Sequence, residues 1–203
     1  VDRREFLCAA GLAGWVALSP PAFAEELPGE KLASSGTIGK LRKSEGEAPI
    51  AGATLYVAEA EGDGLGYTFP AGALGKAQYL AADMLLDGNT LIVFSLRLQE
   101  GDQGRTFRFN FGGLNQCSFR VRMALALVDQ NRWMVEREGA LLKPLCGGDR
   151  VDLAKVDRMT LTVARKSAEP ASWCMTEFRA APAEVPRLTK PVLPKGPLID
   201  KFG

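Results

Sequence analysis

The sequence contains no histidine among its 203 residues. This absence excludes Ser-His-Asp and Cys-His catalytic arrangements, histidine-based acid–base chemistry and the usual histidine-containing zinc shells. The charge is balanced, with 25 Lys and Arg against 24 Asp and Glu, so the chain lacks the basic excess expected of a nucleic-acid-binding protein. No phosphate-binding glycine loop, heptad pattern or internal repeat is present either. The chain therefore has to be interpreted from its strand pattern rather than from a catalytic motif.

Three successive segments alternate apolar and polar residues at period two, which indicates strands that bury one face. They are Thr90–Leu98, Arg105–Gly112 and Cys117–Val128. The links between them, EGDQG and GGLNQ, contain glycine and have a length that suits antiparallel neighbours. Further short strands continue the pattern, and we interpret Lys76–Leu86 as a strand in spite of its helix propensity. The sequence predicts an all-β fold, an antiparallel β-sandwich of jelly-roll type.

Both ends of the chain differ from this pattern. Residues 1–24 are typical of a twin-arginine signal peptide, because Arg3 and Arg4 precede an apolar segment and Ala22-Phe23-Ala24 offers a cleavage site. We therefore expect export to the periplasm or out of the cell, without membrane contact after cleavage; a monotopic anchor or a buried helix is the alternative. Residues 25–50 predict a flexible lead-in, residues 51–180 the sandwich, and the five prolines of residues 181–203 a stiff linker.

Three cysteines remain once the signal segment is removed: Cys117, Cys146 and Cys174. Export permits disulfides, and one bridge with one remaining thiol accounts for the three. Cys117 continues the apolar face of a strand and is interpreted as a small buried hydrophobe. The favoured bridge is therefore Cys146–Cys174. No CxxC spacing or Asp/Asn cluster marks a metal site, so we expect no cofactor, although jelly-roll domains often carry a structural calcium.

The outward positions of the three central strands carry arginines and amides and no acidic residue. If these strands are neighbours, one face holds Arg97, Arg108, Arg120, Arg122 and Asn110. Guanidinium and amide groups are planar hydrogen-bonding groups that suit sugar hydroxyls, carboxylates and sulfates. The pattern predicts an anion-tolerant groove with Arg108 and Arg120 at its centre. An ordinary solvated sheet face is the alternative, and a surface that docks against another domain is a third interpretation.

Aromatic and acidic side chains give two further sets of candidates. Trp133 and Trp173 could each stack on a sugar ring, although a tryptophan in a sandwich more commonly lies in the core or at its rim. A glycosidase needs two carboxylates that face one cleft. The carboxylates available for such a pair lie in turns and short edge segments and are better explained as solvated residues: Glu136, Glu138, Asp149 and Asp152. We assign no catalytic residue.

Three stretches together carry a resemblance to a known family. They are Asn131-Arg132-Trp133 with the following EREGALLKP, the run VDLAKVDRMTLTV over Val151–Val163, and PLIDKFG at the end. This combination resembles the N-terminal non-catalytic β-sandwich of agarase-like glycoside hydrolases, a galactose-binding-like jelly roll that precedes a (β/α)₈ catalytic domain. The likeness covers roughly Ala51–Gly203.

The resemblance implies an exported, non-catalytic module that binds a galactan-type polysaccharide of the agar or carrageenan kind. It also implies two partners, a polysaccharide or oligosaccharide and a glycoside hydrolase catalytic domain to which the proline-rich linker would lead. Two alternatives remain open. The chain could be an accessory domain that packs on a catalytic barrel and binds no sugar, or a glycosidase fragment with weak activity.

Overall fold

The computed structural model describes residues 26–87, 91–129, 136–138, 141–166 and 170–188, of which 129, 136–138 and 141–145 are described by their backbone alone. These residues contain no α-helix, and Lys76–Leu86 is a strand over most of its length, as predicted. In chain order the strands are β1 (Glu30–Leu32), β2 (Gly36–Ile38), β3 (Arg42–Ser44), β4 (Thr54–Ala58), β5 (Gly64–Thr68), β6 (Tyr79–Leu86), β7 (Ile92–Glu100), β8 (Thr106–Gly113), β9 (Ser118–Ala124), β10 (Glu136–Glu138), β11 (Leu141–Gly148), β12 (Val156–Lys166), β13 (Ala171–Met175) and β14 (Phe178–Ala181).

The strands form two antiparallel sheets. In sheet B the order is β10-β11-β8-β7-β12-β5-β2, so the long strands β7, β8 and β12 lie at its centre. Sheet A is built on β6, which pairs with β9 along one edge. Along its other edge β6 pairs first with β14 and then with β13, and β1, β4 and β3 complete the sheet beyond these two strands.

The interior between the sheets is filled by the apolar half of each alternating pattern. Sheet B contributes Phe94, Phe107, Phe109 and Phe111, and sheet A contributes Trp173 with other large apolar side chains. The ring of Trp173 lies 5.1 Å from that of Phe94, edge to face, and so joins one sheet to the other. The predicted all-β antiparallel sandwich is confirmed.

The link between β8 and β9 is a crossover, although the sequence predicts a tight hairpin there. Strand β9 pairs with β6 in sheet A, while β8 pairs with β7 and β11 in sheet B. Two contacts direct the chain across: the Gln116 N–H donates to the Leu86 carbonyl at the end of β6 (3.0 Å), and Gly113 lies so close to the Phe119 ring that no Cβ would fit. A period-two pattern defines the buried face of a strand and leaves its partner undetermined.

Both flanking segments belong to the sandwich more fully than the sequence predicts. The proposed flexible lead-in, 25–50, contains β1, β2 and β3, which pair with β14, β5 and β4. Three-residue strands are too short to produce a detectable alternation. The proposed linker, 181–203, begins with the last residue of β14, and Val185 is fully buried in a small cluster on the outer face of sheet A. Residues 1–25, with the predicted signal segment, and 189–203 lie outside the described residues.

Asp63 stabilises two connections that cross from one sheet to the other, the link between β2 and β3 and the link between β4 and β5. Its carboxylate accepts hydrogen bonds from the backbone N–H groups of Lys40 (2.7 Å), Glu59 (2.9 Å) and Ala60 (2.8 Å). Gly39, whose φ is +67°, lies so close to this carboxylate that a Cβ would collide with it. Burial alone would raise the pKa of Asp63, but the three donors outweigh burial and hold its pKa below the ordinary value.

The predicted Cys146–Cys174 disulfide does not form. Trp173 points into the interior, so its neighbour Cys174 points to the opposite side of β13, where it packs with Ile50 and Leu85. Cys146 belongs to the interior cluster between the sheets. Sheet A therefore lies between the two sulfurs, and Cys174 is a buried thiol. Burial raises the pKa of this thiol to about 12. Cys117 is buried, as predicted.

Asp63→Asn should destabilise the fold by about 1–3 kcal/mol at neutral pH, because an amide nitrogen would face a backbone N–H that now has an acceptor. The free energy of unfolding, measured by urea titration, gives this value, and Glu61→Gln in the same turn is a matched control with little expected effect.

The folded pKa of Asp63 lies below its ordinary value of 3.8. The advantage of the wild-type carboxylate over the amide is therefore present above pH 3.8 and lost as the pH falls through the folded pKa. A difference that does not shrink in acid would contradict this account.

Thiol titration tests the arrangement of the cysteines. In denaturant without reductant, the 203-residue chain should yield four thiols, including Cys8. A Cys146–Cys174 bridge would leave two. In the folded protein at pH 8, Cys174 should not react, since a buried thiol with a pKa of about 12 is almost entirely protonated. Cys174→Ala should therefore lower the denatured count by one and leave the native count unchanged.

Candidate functional site

The six residues predicted to bind a ligand do not form one groove. Arg97, Arg108 and Asn110 lie on β7 and β8 and point to the outer face of sheet B. Arg120 and Arg122 lie on β9 and point to the outer face of sheet A. Trp133, the sixth, lies outside the described residues. The prediction of a single face required β8 and β9 to be neighbours. In the sandwich these two strands belong to different sheets.

Arg120 is a buried partner of Asp83 and does not face an open groove. Its Nε lies 2.8 Å from one carboxylate oxygen of Asp83 and its second terminal nitrogen 3.1 Å from the other, a two-point pair. A third hydrogen bond joins Arg120 to the carbonyl of Pro186 (3.3 Å) in the C-terminal segment. Burial raises the pKa of Asp83 above its ordinary value, and Arg120 offsets only part of that rise.

Arg122 is covered by the same C-terminal segment. Its guanidinium lies 3.4 Å from the Glu184 carboxylate and 5.4 Å from the centre of the Tyr79 ring, over which it packs. The side chain of Arg122 is only 4% exposed. Both arginines of β9 therefore hold residues 184–186 against sheet A. Arg120, predicted to line an anion-tolerant groove together with Arg108, instead lies on the other sheet in a buried ion pair.

On sheet B, by contrast, Arg97 and Arg108 are exposed and directly opposite each other in register. Arg165 is also exposed, and a bulge in β12 places it beside Val93, two residues along β7 from Ser95 on the same face. Within the described residues, no ion pair involves these three arginines. Other arginines at the end of the same sheet are paired: Arg105 with Glu100 at 3.0 Å, and Arg158 with Asp102.

Polar side chains and glycines surround these arginines. Thr160 flanks Arg97 on β12, and the adjacent row of the sheet contains Thr162, Ser95 and Asn110. Gly147 and Gly66 flank Arg108, Arg97 and Thr160 in the same row of the sheet. We call this surface the arginine face; it consists of Arg97, Arg108, Arg165, Ser95, Asn110, Thr160 and Thr162. Sequence reasoning missed Arg165, because the bulge between Val163 and Arg165 breaks the alternation that would have revealed its direction.

Other candidates have structural roles or lie outside the described side chains. Trp173 is 1% exposed and cannot stack on a ligand. Asp149 accepts a hydrogen bond from the Thr106 N–H (3.1 Å), and Asp152 accepts one from the Ala154 N–H (3.1 Å) within its own turn. Glu136 and Glu138 lie in β10, of which only the backbone is described.

The described ranges contain no group of three or more Cys, Asp or Glu residues placed to hold a metal ion. A helix with the length and apolar character needed to cross a bilayer is likewise not found in this part of the chain.

Breaking the buried pair should be costly. Arg120→Met leaves the Asp83 carboxylate buried without its main partner and should destabilise the protein by about 3–5 kcal/mol at pH 7. The pKa of Asp83 should rise further, so this variant should regain stability relative to wild type as the pH falls and the carboxylate is protonated. Urea unfolding at several pH values measures both effects.

The double variant Asp83→Leu/Arg120→Met provides the control for this experiment. It removes both charges, so it should be more stable than Arg120→Met alone at neutral pH. The destabilisation of the double variant could instead equal the sum of the destabilisations of Asp83→Leu and Arg120→Met measured singly. Such additivity would show that the two residues are not coupled and would contradict the geometry.

Comparison with known proteins adds one finding. No family model matches the chain, and no curated protein matches its sequence. A solved structure described as "Structural analysis of an exo-beta-agarase" superposes on 79% of this chain with a TM-score of 0.55 and 11% sequence identity. The match covers 26% of that structure, so the chain spans about a quarter of the length of the protein it resembles. The similarity shows that this chain shares a β-sandwich fold with part of that structure.

Proposed function

We propose that this chain is a non-catalytic carbohydrate-binding module for a galactan-type polysaccharide, and that the arginine face is its binding surface. The observation that carries the proposal is the pair Arg97 and Arg108. Their like charges lie directly opposite each other on an exposed sheet face, an arrangement that destabilises a sheet unless an anion compensates it. A sulfated or acidic polymer supplies such anions, and guanidinium groups bind sulfate and carboxylate oxygens at two points.

The shape and chemistry around the two arginines suit a chain-like ligand. Gly147 and Gly66 flank the row of Arg108, Arg97 and Thr160, so an extended polymer that crosses the strands meets the two guanidinium groups between positions without a side chain of their own. Thr160, Thr162 and Ser95 offer hydroxyl groups beside the arginines. Oδ1 of Asn110 is buried and has no hydrogen-bond partner among the described residues, an arrangement that costs about 1–3 kcal/mol.

The similarity in fold supports the choice of a galactan, since the superposed structure is described as that of an exo-β-agarase. Export through the twin-arginine pathway to the periplasm or the outside of the cell is part of the proposal, because such polysaccharides lie outside the cell. The match to only 26% of the longer agarase structure favours a second candidate. In this alternative the chain is an accessory domain that packs on a hydrolase catalytic domain and binds no sugar.

Affinity electrophoresis in native gels tests the proposal. The protein should be retarded in gels that contain carrageenan, whose galactan chain is sulfated, and retardation should weaken as salt is added. Arg97→Gln/Arg108→Gln should lower the apparent affinity by about tenfold or more. Its thermal unfolding temperature should stay the same or rise slightly, because both side chains are exposed and their mutual repulsion is removed.

The matched control is Arg42→Gln/Lys43→Gln, which removes the same charge from exposed positions of β3 in sheet A. An equal loss of retardation in this control would mean that net charge alone drives binding, and would contradict a role for the arginine face. Migration unaffected by both carrageenan and agarose would support the accessory-domain candidate. Release of reducing sugar by the purified chain would contradict its assignment as non-catalytic.

A further inference from the structure

A pocket lies on the other side of the sandwich, at a gap in sheet A. Strands β13 and β14 share one edge of β6, and the two residues that link them, Thr176 and Glu177, pass beside Asp83. The Thr176 N–H donates to the Asp83 carbonyl (3.0 Å), and the Thr176 hydroxyl accepts from the Asp83 N–H (3.0 Å). The link therefore completes the backbone hydrogen bonds of β6 without continuing the sheet. A pocket with a volume of about 390 Å³ opens here, at the lower end of the usual range for small-molecule sites.

Charged side chains of both signs line this pocket, and each has an opposite partner. Asp83 is held by Arg120. Lys31 lies 4.0 Å from Glu177, and a third pair on the pocket wall, Arg179 with Glu26, is 2.7 Å apart. An ionic ligand would have to break one of these pairs or add an uncompensated charge, and both cost free energy. An uncharged ligand avoids this cost.

The pocket also combines strong donors and acceptors with a small apolar side. The carboxylate of Glu177 can accept hydrogen bonds, and the ammonium group of Lys31 can donate them. A hydroxyl group both donates and accepts, so it can bridge two members of a pair without separating them. Ile50 and Ala51 line the pocket as apolar neighbours of these groups. A sugar ring presents this combination, with hydroxyl groups at its edge and C–H groups on its faces.

We propose that the pocket beside Asp83 is a second binding site, which takes an uncharged, hydroxyl-rich ligand the size of one sugar residue. The inference is independent of the function proposed for the arginine face, because the two sites lie on opposite outer faces of the sandwich and select ligands of different charge.

Titration of isotopically labelled protein with D-galactose, followed by amide NMR, tests the site. Galactose should shift the amide signals of Ala51, Thr176 and Glu177, with a dissociation constant on the order of millimolar, as expected for a monosaccharide with few buried contacts. D-Galacturonate, which has the same ring and a negative charge, should have a dissociation constant at least about tenfold higher than that of galactose. Shifts confined to other regions, or tighter binding of galacturonate, would overturn the proposal.

Two variants locate the site. Ala51 is exposed and lines the pocket, so Ala51→Trp should fill it and abolish the shifts at Thr176 and Glu177. Ala71→Trp, at an exposed turn outside the pocket lining, is the matched control and should bind galactose as wild type does. Should Ala51→Trp fail to fold, Glu177→Gln serves instead. Its side chain is 49% exposed, and loss of its charge should weaken binding by about tenfold.

The two proposed sites can fail separately. Arg97→Gln/Arg108→Gln should lose carrageenan retardation and keep the galactose shifts, while Ala51→Trp should do the reverse. Galactose binding that survives Ala51→Trp, or that disappears in the Arg97/Arg108 variant, would contradict a separate pocket beside Asp83.

Discussion

The edge-to-face contact between Trp173 and Phe94 is the interaction on which the arrangement of this protein depends. Each ring belongs to a different sheet, and each is completely or almost completely buried. Phe111 stacks on Phe94 at 5.5 Å and Tyr56 lies 5.9 Å from Trp173, so the contact sits within a continuous aromatic layer. The layer lies on the inward faces of β4, β7, β8 and β13. The outward faces of the strands are not constrained by packing in the core, and their residues have different roles on the two sheets.

The two outer faces show how the same residue type serves opposite purposes. On sheet A, arginines are buried under the C-terminal segment and neutralised by Asp83 and Glu184, so their charge contributes to cohesion. On sheet B, Arg97 and Arg108 have no covering segment among the described residues, and their charge is directed at the solvent. Burial converts a guanidinium into a structural cross-link, whereas exposure keeps it available to a ligand.

The faces of the strands could be predicted from the sequence, but their partners could not. The alternation at Phe107, Phe109 and Phe111 correctly marked the interior, since burial alone decides it. The direction of Arg120 was also correct, yet its burial depends on Pro186, far away in the chain and in a segment whose composition indicates a linker. One local signal was available: Asp83 stands alone in the apolar strand YLAADMLL, and a buried carboxylate requires a partner. That requirement pointed to an ion pair without naming Arg120.

The hydrogen bonds of Asp63 have a consequence for the edges of both sheets. Lys40 lies between β2 and β3, and these two strands are the outermost members of sheet B and sheet A respectively. An outermost strand offers unpaired backbone groups to any other extended chain, and three-residue strands detach more easily than long ones. By anchoring the turn between them, one carboxylate keeps a short protective strand in place on each sheet. Loss of the Asp63 carboxylate would expose the edges of both β4 and β5, so self-association through strand addition could begin on either sheet.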